Sequence, residues 1–498
     1  MSMVLIRRIA MDTKLIKTMG RKLGKFLGEF DDCFGRSGPR EHLRTYVSGQ
    51  LSDLPHKSIE PIALAAKIPP RTLQYFLSSM QWDQGRLRDR TQWMVARDHA
   101  HPKAIGAVDE TGNPKKGRHT VGVQRQWCGN TGKIDNCVVG VHIAYVANDF
   151  QCLLDSDLYL PRSWDEDEDR RKTAGVPDDV VFRKKADIAL GQVGRALKNG
   201  IRFSAWTFDE FYGRDGEFLD GLDSLGQSYI GEIPSDFVGW LRHPEVLVSP
   251  KPQKKPKQGR KRQFPRLSRK SLPACEVRNL ATYSRIFQKQ KWQKFRIKDG
   301  EKGPIVWEVK FSHFYRKQGE TSLPGPTHTL IVARNVLNHK EVKYFLSNMV
   351  VDSESITLEW LLWIAFSRWP VERCFEIGKR ELGMDHFEVR SWQAIHRHFY
   401  ISQLSQLFCA RIQQELREKK DREFLSDSRT GSPRNLCLAR GSGFAVLGSK
   451  NNISECRRYD YVSSKTKPRS PEIPLENKAS GASKIGYRNQ SIEFLYTT

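Results

Sequence analysis

The sequence predicts an α/β fold in which a mixed strand-and-helix core is flanked by a helical N-terminal segment and interrupted by a β-rich stretch. Three observations carry this prediction. Apolar residues recur at helical spacing up to about residue 100. Short Val/Ile-rich runs then alternate with one clear helix between 101 and 240. A second set of strand-like runs occupies 275 to 350, ahead of a long helical region.

The N-terminal segment, 1–100, reads as helical throughout. Leu15, Ile16, Met19, Leu23, Phe26, Leu27 and Phe30 recur near helical spacing. Another helix begins after Ser58 and carries Ile62, Ala65 and Ala66, until Ile68-Pro69-Pro70 interrupts it. A further helix follows from Arg71, with Leu73, Phe76 and Leu77 as its apolar face. Helix, short turn, helix with a basic residue at the second start resembles a DNA-reading helix-turn-helix, and equally an ordinary helical hairpin.

The core begins at 101. KAIGAVD, HTVGVQRQW and NCVVGVHIAYV read as consecutive, hairpin-paired strands, and SWDEDEDRRK as a charged loop. A helix is predicted from Lys185 to Asn199, ended by Gly200. The strand IRFSAWTFD, the helix GEFLDGLDSLG and the strand QSYIGEI complete the first part at 240. Residues 241–352 form a β-rich insertion. It opens on a basic arm, 249–270, with ten Lys/Arg, four prolines and no acid, suited to phosphate contact or to a solubilising linker. A long amphipathic helical region, about 354 to 418, closes the core (353–425). The Ser/Gly/Asn/Lys-rich tail, 426–498, lacks the apolar clusters of a packed domain.

Composition narrows the function. The 498 residues carry a formal net charge of +25, which favours a polyanionic partner through counterion release. No apolar run is long enough to span a bilayer, and the N-terminus lacks a secretory pattern. The nine cysteines are scattered without zinc spacing, as expected of reduced thiols in a cytoplasmic protein.

Three acids stand in distinctive settings. Asp109 and Asp209 each end a short apolar run, where a strand presents a carboxylate at its tip. Glu372 lies in a basic helical segment with Arg368, Glu376 and Lys379 on the same face. Three carboxylates gathered by the fold would hold divalent cations for chemistry on a phosphodiester. Glu376, one turn on, is the alternative third acid. Lys115 and Lys116 follow Asp109 in a turn that could face phosphate.

At this point a resemblance becomes specific. AVDETGNPKKGRHTVGVQRQWCGNTGKIDNC, LPRSWDEDEDRRKTAGVP, FDEFYG, YFLSNM and RWPVERCFEIGKRELGMDHFEVRSW resemble the DDE-superfamily transposases of bacterial insertion sequences. The nearest likeness is to the cut-and-paste group with a β-strand insertion between the second Asp and the Glu. The resemblance runs from about residue 30 to 410. It implies a ribonuclease-H-like catalytic core and Asp109, Asp209 and Glu372 as catalytic metal ligands for two Mg²⁺ ions, Mn²⁺ being possible. It also implies binding and cleavage of double-stranded DNA at terminal inverted repeats, joining to target DNA, and a homodimer on DNA near the nucleoid. In the family's Tyr-Arg-Glu-Lys helix pattern, Arg368, Glu372 and Lys379 match, while Ala365 stands at the Tyr position. Pro370 is expected to start the helix near Trp369, leaving Glu372 in its first turn.

The remaining expected DNA contacts are Lys254, Lys255, Arg260, Lys261 and Arg262 in the arm, and Trp292 in the insertion. Trp292, among Lys289, Lys291 and Lys294, is a candidate for stacking on a flipped base; Trp307 reads as a core aromatic. Two other functions fit the same chain: a transposase-derived DNA-binding protein without catalysis, and a stand-alone ribonuclease-H-type nuclease.

Overall fold

A computed structural model describes residues 13–428 except 149, 249–263, 301–302, 320, 353–354 and 368. Five helices come first: α1 (Thr13–Gly28), α2 (Ser37–Leu51), α3 (Ile59–Ala65), α4 (Pro70–Ser78) and α5 (Gln84–Asp98). The Ile-Pro-Pro break falls where expected, with Pro70 opening α4, where its missing N–H costs nothing. Leu73, Phe76 and Leu77 are fully buried on one side of α4.

The first sheet follows: β1 (Ile105–Pro114), β2 (Gln124–Cys128), β3 (Lys133–Ala147), β4 (Phe150–Leu158) and β5 (Ala205–Thr207), in the order β2-β3-β1-β5 with β4 also on β3. β1 pairs antiparallel with β3 and in parallel with β5; of the stretch read as a strand between β1 and β3, only Gln124–Cys128 is one, and it pairs with β3. β4 was not foreseen. Its sequence, FQCLLDSDL, places Asp155 and Asp157 in a buried strand where alternation would call for apolar residues. The segment read as a charged loop instead forms two short helices, α6 (Arg162–Asp165) and α7 (Glu168–Ala174), because Asp167 caps α7 through the Arg170 amide and Gly175 ends it at φ 63°.

Helix α8 (Lys185–Lys198) buries Ile188, Ala189, Val193 and Ala196 against the sheet, beside Val108, Val141 and Ile143. Short helices α9 (Glu210–Gly213) and α10 (Gly216–Ser224) follow β5. Strand β6 (Ile230–Ile233) runs beside β5, joined by a parallel bridge between Trp206 and Tyr229. It also pairs with the second sheet.

That sheet comprises β6, β7 (Val238–Trp240) and, after the short pair β8 (Val246–Leu247) and β9 (Arg266–Leu267), strands β10 (Cys275–Glu276), β11 (Gln293–Gly300), β12 (Gly303–Lys317), β13 (Pro324–Asn335) and β14 (Val342–Ser347). Helices α11 (Val277–Tyr283) and α12 (Arg285–Lys289) precede β11. β6 is a strand of the second sheet, and the bridge just before it, with the shared core of Ile105, Val146 and Ala205 against Trp307, Ile331 and Phe345, joins the β-rich region to the first sheet.

The C-terminal helical region is not continuous. It divides into α13 (Leu358–Phe366), α14 (Trp369–Arg380) and α15 (Trp392–Ser428). Pro370 accounts for the first break and Gly383, at φ 69°, lies in the second. α13 packs with the second sheet in a core of Phe295, Trp307, Ile331, Phe345, Leu361 and Leu362. α14 and α15 cover the face of the first sheet opposite α8, through Phe375 and Phe399 against Ala107, Val138 and Ala144. Arg397 of α15, almost fully buried, donates to Phe76 O, Leu77 O and Trp82 O. Those bonds dock the N-terminal helices onto the core. Among the described residues, no helix is long and apolar enough to cross a membrane.

Candidate active site beside β1 and β5

The parallel register pairs Ile105 with Ala205, Gly106 with Trp206 and Ala107 with Thr207. That pairing ends at Thr207, two residues before Asp209, and the equivalent two-residue step along β1 leads to Asp109. Gly106 makes the pairing possible: a Cβ there would stand 2.3 Å from Cε3 of Trp206, whose ring lies across the strand.

Main-chain amides orient both carboxylates. Asp109, nearly buried, accepts from the Glu110 amide at 2.8 Å. Asp209 caps α9, accepting from the Phe211 and Tyr212 amides at 3.1 and 3.4 Å. Tyr212 is fully buried, its hydroxyl donating to Glu110 Oε2 at 3.2 Å. Burial raises the Tyr212 pKa well above its ordinary value, and the negative charges of Glu110, Asp109 and Asp209 push it further the same way. Glu110 turns to the other side of β1 and meets Lys185 of α8 at 2.6 Å. Sequence reading missed Glu110 and Lys185; the Asp-Glu doublet, where one residue of a pair must face each side of a strand, was the available signal.

Helix α14 carries Glu372, the third acid expected from the sequence. It starts at Trp369-Pro370, as expected, with Glu372 exposed in its first turn. Val371, Cys374 and Phe375 are buried against the sheet. Glu376 is exposed and bonded to Arg380 at 2.8 Å within the helix. Lys379 leans inward and donates to Asn130 Oδ1, in the β2–β3 turn, at 2.8 Å. Burial lowers the Lys379 pKa, against the pull of Asp385, Cys128 and Asp109. Among the described residues no group of three or more His, Cys, Asp and Glu side chains stands close enough to hold a metal ion. Asp109 and Asp209 supply hard oxygen donors of the kind a small divalent cation takes, and Glu372 lies on the adjoining helix.

His142, opposite Asp109 on β3, is fully buried between Phe375 and Phe399 and bonded through Nδ1 to Ser156 Oγ at 2.6 Å. Burial, helped by the Lys379 charge, pushes its pKa down to about 3, so it stays neutral.

The expected DNA contacts divide. Lys115 turns inward: Nζ donates to Phe387 O at 2.8 Å and lies 3.4 Å from the Phe387 ring centre. Burial pushes its pKa down to about 8. Lys116 is exposed. Trp292 is half-buried, with the Arg334 guanidinium 4.0 Å and the Lys310 ammonium 4.7 Å from its ring centre. Trp307 is buried against Phe366, the core role read for it. Ala365 is buried in α13. Arg368, Lys254, Lys255, Arg260, Lys261 and Arg262 lie outside the described residues.

Asp109 lies within β1 rather than at its tip, since that strand runs on to Pro114, and Asp209 caps the short helix that follows β5. Residues 29–304 match the family described as DDE superfamily endonuclease, and the chain belongs to that family. The match ends before Glu372. Within the chain, 190 residues are 32% identical to the probable transposase for insertion sequence element IS701 of Microchaete diplosiphon, covering 38% of this chain and 47% of that protein. The chain thus spans about half the length of the curated relative it matches. The likeness to insertion-sequence DDE transposases read from the sequence blocks is borne out at family level.

Proposed function

We propose that this chain is a cut-and-paste DNA transposase with a ribonuclease-H-like core. Asp109, Asp209 and Glu372 are its catalytic carboxylates. What supports the reading is the parallel pairing of β1 with β5, which brings the strand bearing Asp109 beside the strand that leads to Asp209, together with helix α14, bearing Glu372, which packs on the same sheet.

The two aspartates, oriented by main-chain amides, would hold Mg²⁺ or Mn²⁺ together with Glu372. When bound, a pair of such ions would activate the attacking oxygen and neutralise the charge of the leaving one. The residues around the site do the rest. The Asp209 carboxylate is fixed by its helix cap before any ligand arrives. Tyr212, Glu110 and Lys185 brace the back of β1, so the Asp109 strand cannot shift independently of α8. Lys116, with Arg368 and the arm residues Lys254, Lys255, Arg260, Lys261 and Arg262, would engage the phosphate backbone of double-stranded DNA at terminal inverted repeats and target. Trp292, held between Arg334 and Lys310, would present its ring to a displaced base. Two ends must meet for joining, which calls for a homodimer on DNA.

The test is strand cleavage of DNA carrying the element's own ends, with Mg²⁺ present or chelated. Asp109→Asn is expected to abolish cleavage while end binding persists. Metal-independent cleavage, or an active Asp109→Asn variant, would falsify the site assignment. Retained DNA binding with no cleavage by the unmodified chain would favour a DNA-binding protein without catalysis.

A further inference from the structure

The β2–β3 hairpin carries a feature that the carboxylate site does not use. Trp127 and Ile134 stand directly opposite each other in the ladder. Each is 61% exposed, although a cross-strand aromatic and β-branched pair is normally found against a core. The opposite side of the hairpin is buried: Cys128 packs with Cys137 and Val139. Gly112, three residues beyond Asp109 on β1, leaves room for it, since a Cβ there would meet Cys128 Sγ at 2.9 Å. The exposed pair is therefore the outer face of a hairpin anchored to the Asp109 strand.

Two contacts fix where that face points. Lys379 of α14 holds the hairpin turn through Asn130 at 2.8 Å. Asn136, on the Trp127 face by strand alternation, donates through Nδ2 to Lys115 O at 2.7 Å and Gly117 O at 2.8 Å. The Lys-Lys-Gly-Arg loop is thereby held beside the apolar pair. Arg125 shares the face, and Arg125, Lys116 and Arg118 are all exposed. The hairpin's acid, Asp135, lies on the other face, opposite Gln126.

We propose that Trp127, backed by Ile134, is a positioning residue that stacks on an unpaired base of the DNA end while Arg125, Lys116 and Arg118 take the adjoining phosphates. A flat aromatic within a basic surface matches single-stranded DNA, whose bases offer a π-face and whose backbone is anionic. A protein partner would more often meet an apolar patch with a polar rim of mixed charge. The inference rests on the chain acting on DNA ends, but not on which carboxylates perform the cleavage.

The experiment measures binding of the full chain, by fluorescence anisotropy without divalent metal, to two probes. One is a fully paired duplex, the other the same duplex with its terminal bases unpaired. Stacking tolerates any sequence, so the true end sequence is not required. The unmodified chain is expected to prefer the unpaired probe. Trp127→Ala should weaken that binding by about tenfold or more and leave the paired duplex unaffected. Trp127→Phe should restore most of the preference, and Ile134→Ser should lose part of it. Equal binding of both probes by the unmodified chain overturns the proposal, as does an undiminished preference in Trp127→Ala. A Trp127→Ala variant that changes only the sedimentation of the DNA-free chain also overturns it, and marks a protein interface instead. Because cleavage is not read, a wrong assignment of Asp109, Asp209 or Glu372 would leave this result intact.

Discussion

Two pairs of aspartates sit in the same sheet and have opposite surroundings. On β4, Asp155 is fully buried and meets Arg195 Nε at 2.8 Å, while Asp157 meets His396 Nε2 at 2.8 Å and Arg183 at 3.1 Å. Burial raises the pKa of both; basic neighbours nevertheless hold Asp157 down at about 2, while Asp155 remains raised. Asp109, within β1, and Asp209, just after β5, are oriented by main-chain amides. The first pair ties α8 and α15 to the sheet. The second is held by the main chain of β1 and of α9. An acid within a strand is therefore not a functional signal until its counter-charges are known.

The comparison can be broken by substitution, most sharply at the proposed catalytic pair. Asp109→Asn and Asp209→Asn should each lower cleavage of end DNA by about a thousandfold or more, a few kcal/mol of transition-state stabilisation, with thermal stability nearly unchanged. Glu372→Gln should match them, whereas Glu376→Gln, which removes only an exposed pair with Arg380, should keep activity. If Glu376→Gln is the inactive variant, the third ligand is one turn further along α14.

The β4 pair should behave in the reverse way. Asp155→Ala strands the half-buried Arg195 and the neighbouring Arg88, and should cost about 3–5 kcal/mol of stability, read by denaturant unfolding. An Asp155→Ala chain that unfolds like the parent would show that the network is dispensable. Gly106→Ala tests the frame between the two pairs. Its methyl would press into Trp206, parting β1 from β5, with an expected loss of about 1–3 kcal/mol and a larger proportional loss of cleavage.

The smallest effect is in pH. His142 and His398 are fully buried, with pKa values pushed by burial from 6.5 to about 3 and about 4. The unfolded chain binds these protons more readily, so stability is full above pH 6.5 and declines as pH falls towards those values. At pH 5 each should contribute a loss of roughly 1–2 kcal/mol, seen as a lower melting temperature than at pH 7. In His398→Gln that decline should shrink. An identical pH dependence in the variant would assign it to other groups.

Much of this molecule was legible in its sequence because local rules were obeyed there. Helical periodicity marked Phe26, Leu27, Leu73, Phe76 and Leu77, all buried. Pro70 and Pro370 marked helix starts, and Val/Ile-rich runs marked β1 and β3. Asp109 and Asp209 could be singled out by position at the ends of apolar runs. What local pattern missed was decided by partners distant in the chain. β4 is a strand despite two acids because Arg195 and His396 reach it from helices α8 and α15, and Arg183 from the loop ahead of α8. Lys115, apparently poised for phosphate, turns inward because the backbone carbonyl and ring of Phe387 await it. Sequence alone determined which residues could act as strand, helix and hard-cation ligand. Only the tertiary structure decided which acids were neutralised and which strands were set side by side, because charge pairing and parallel register depend on contacts that no local stretch of chain contains.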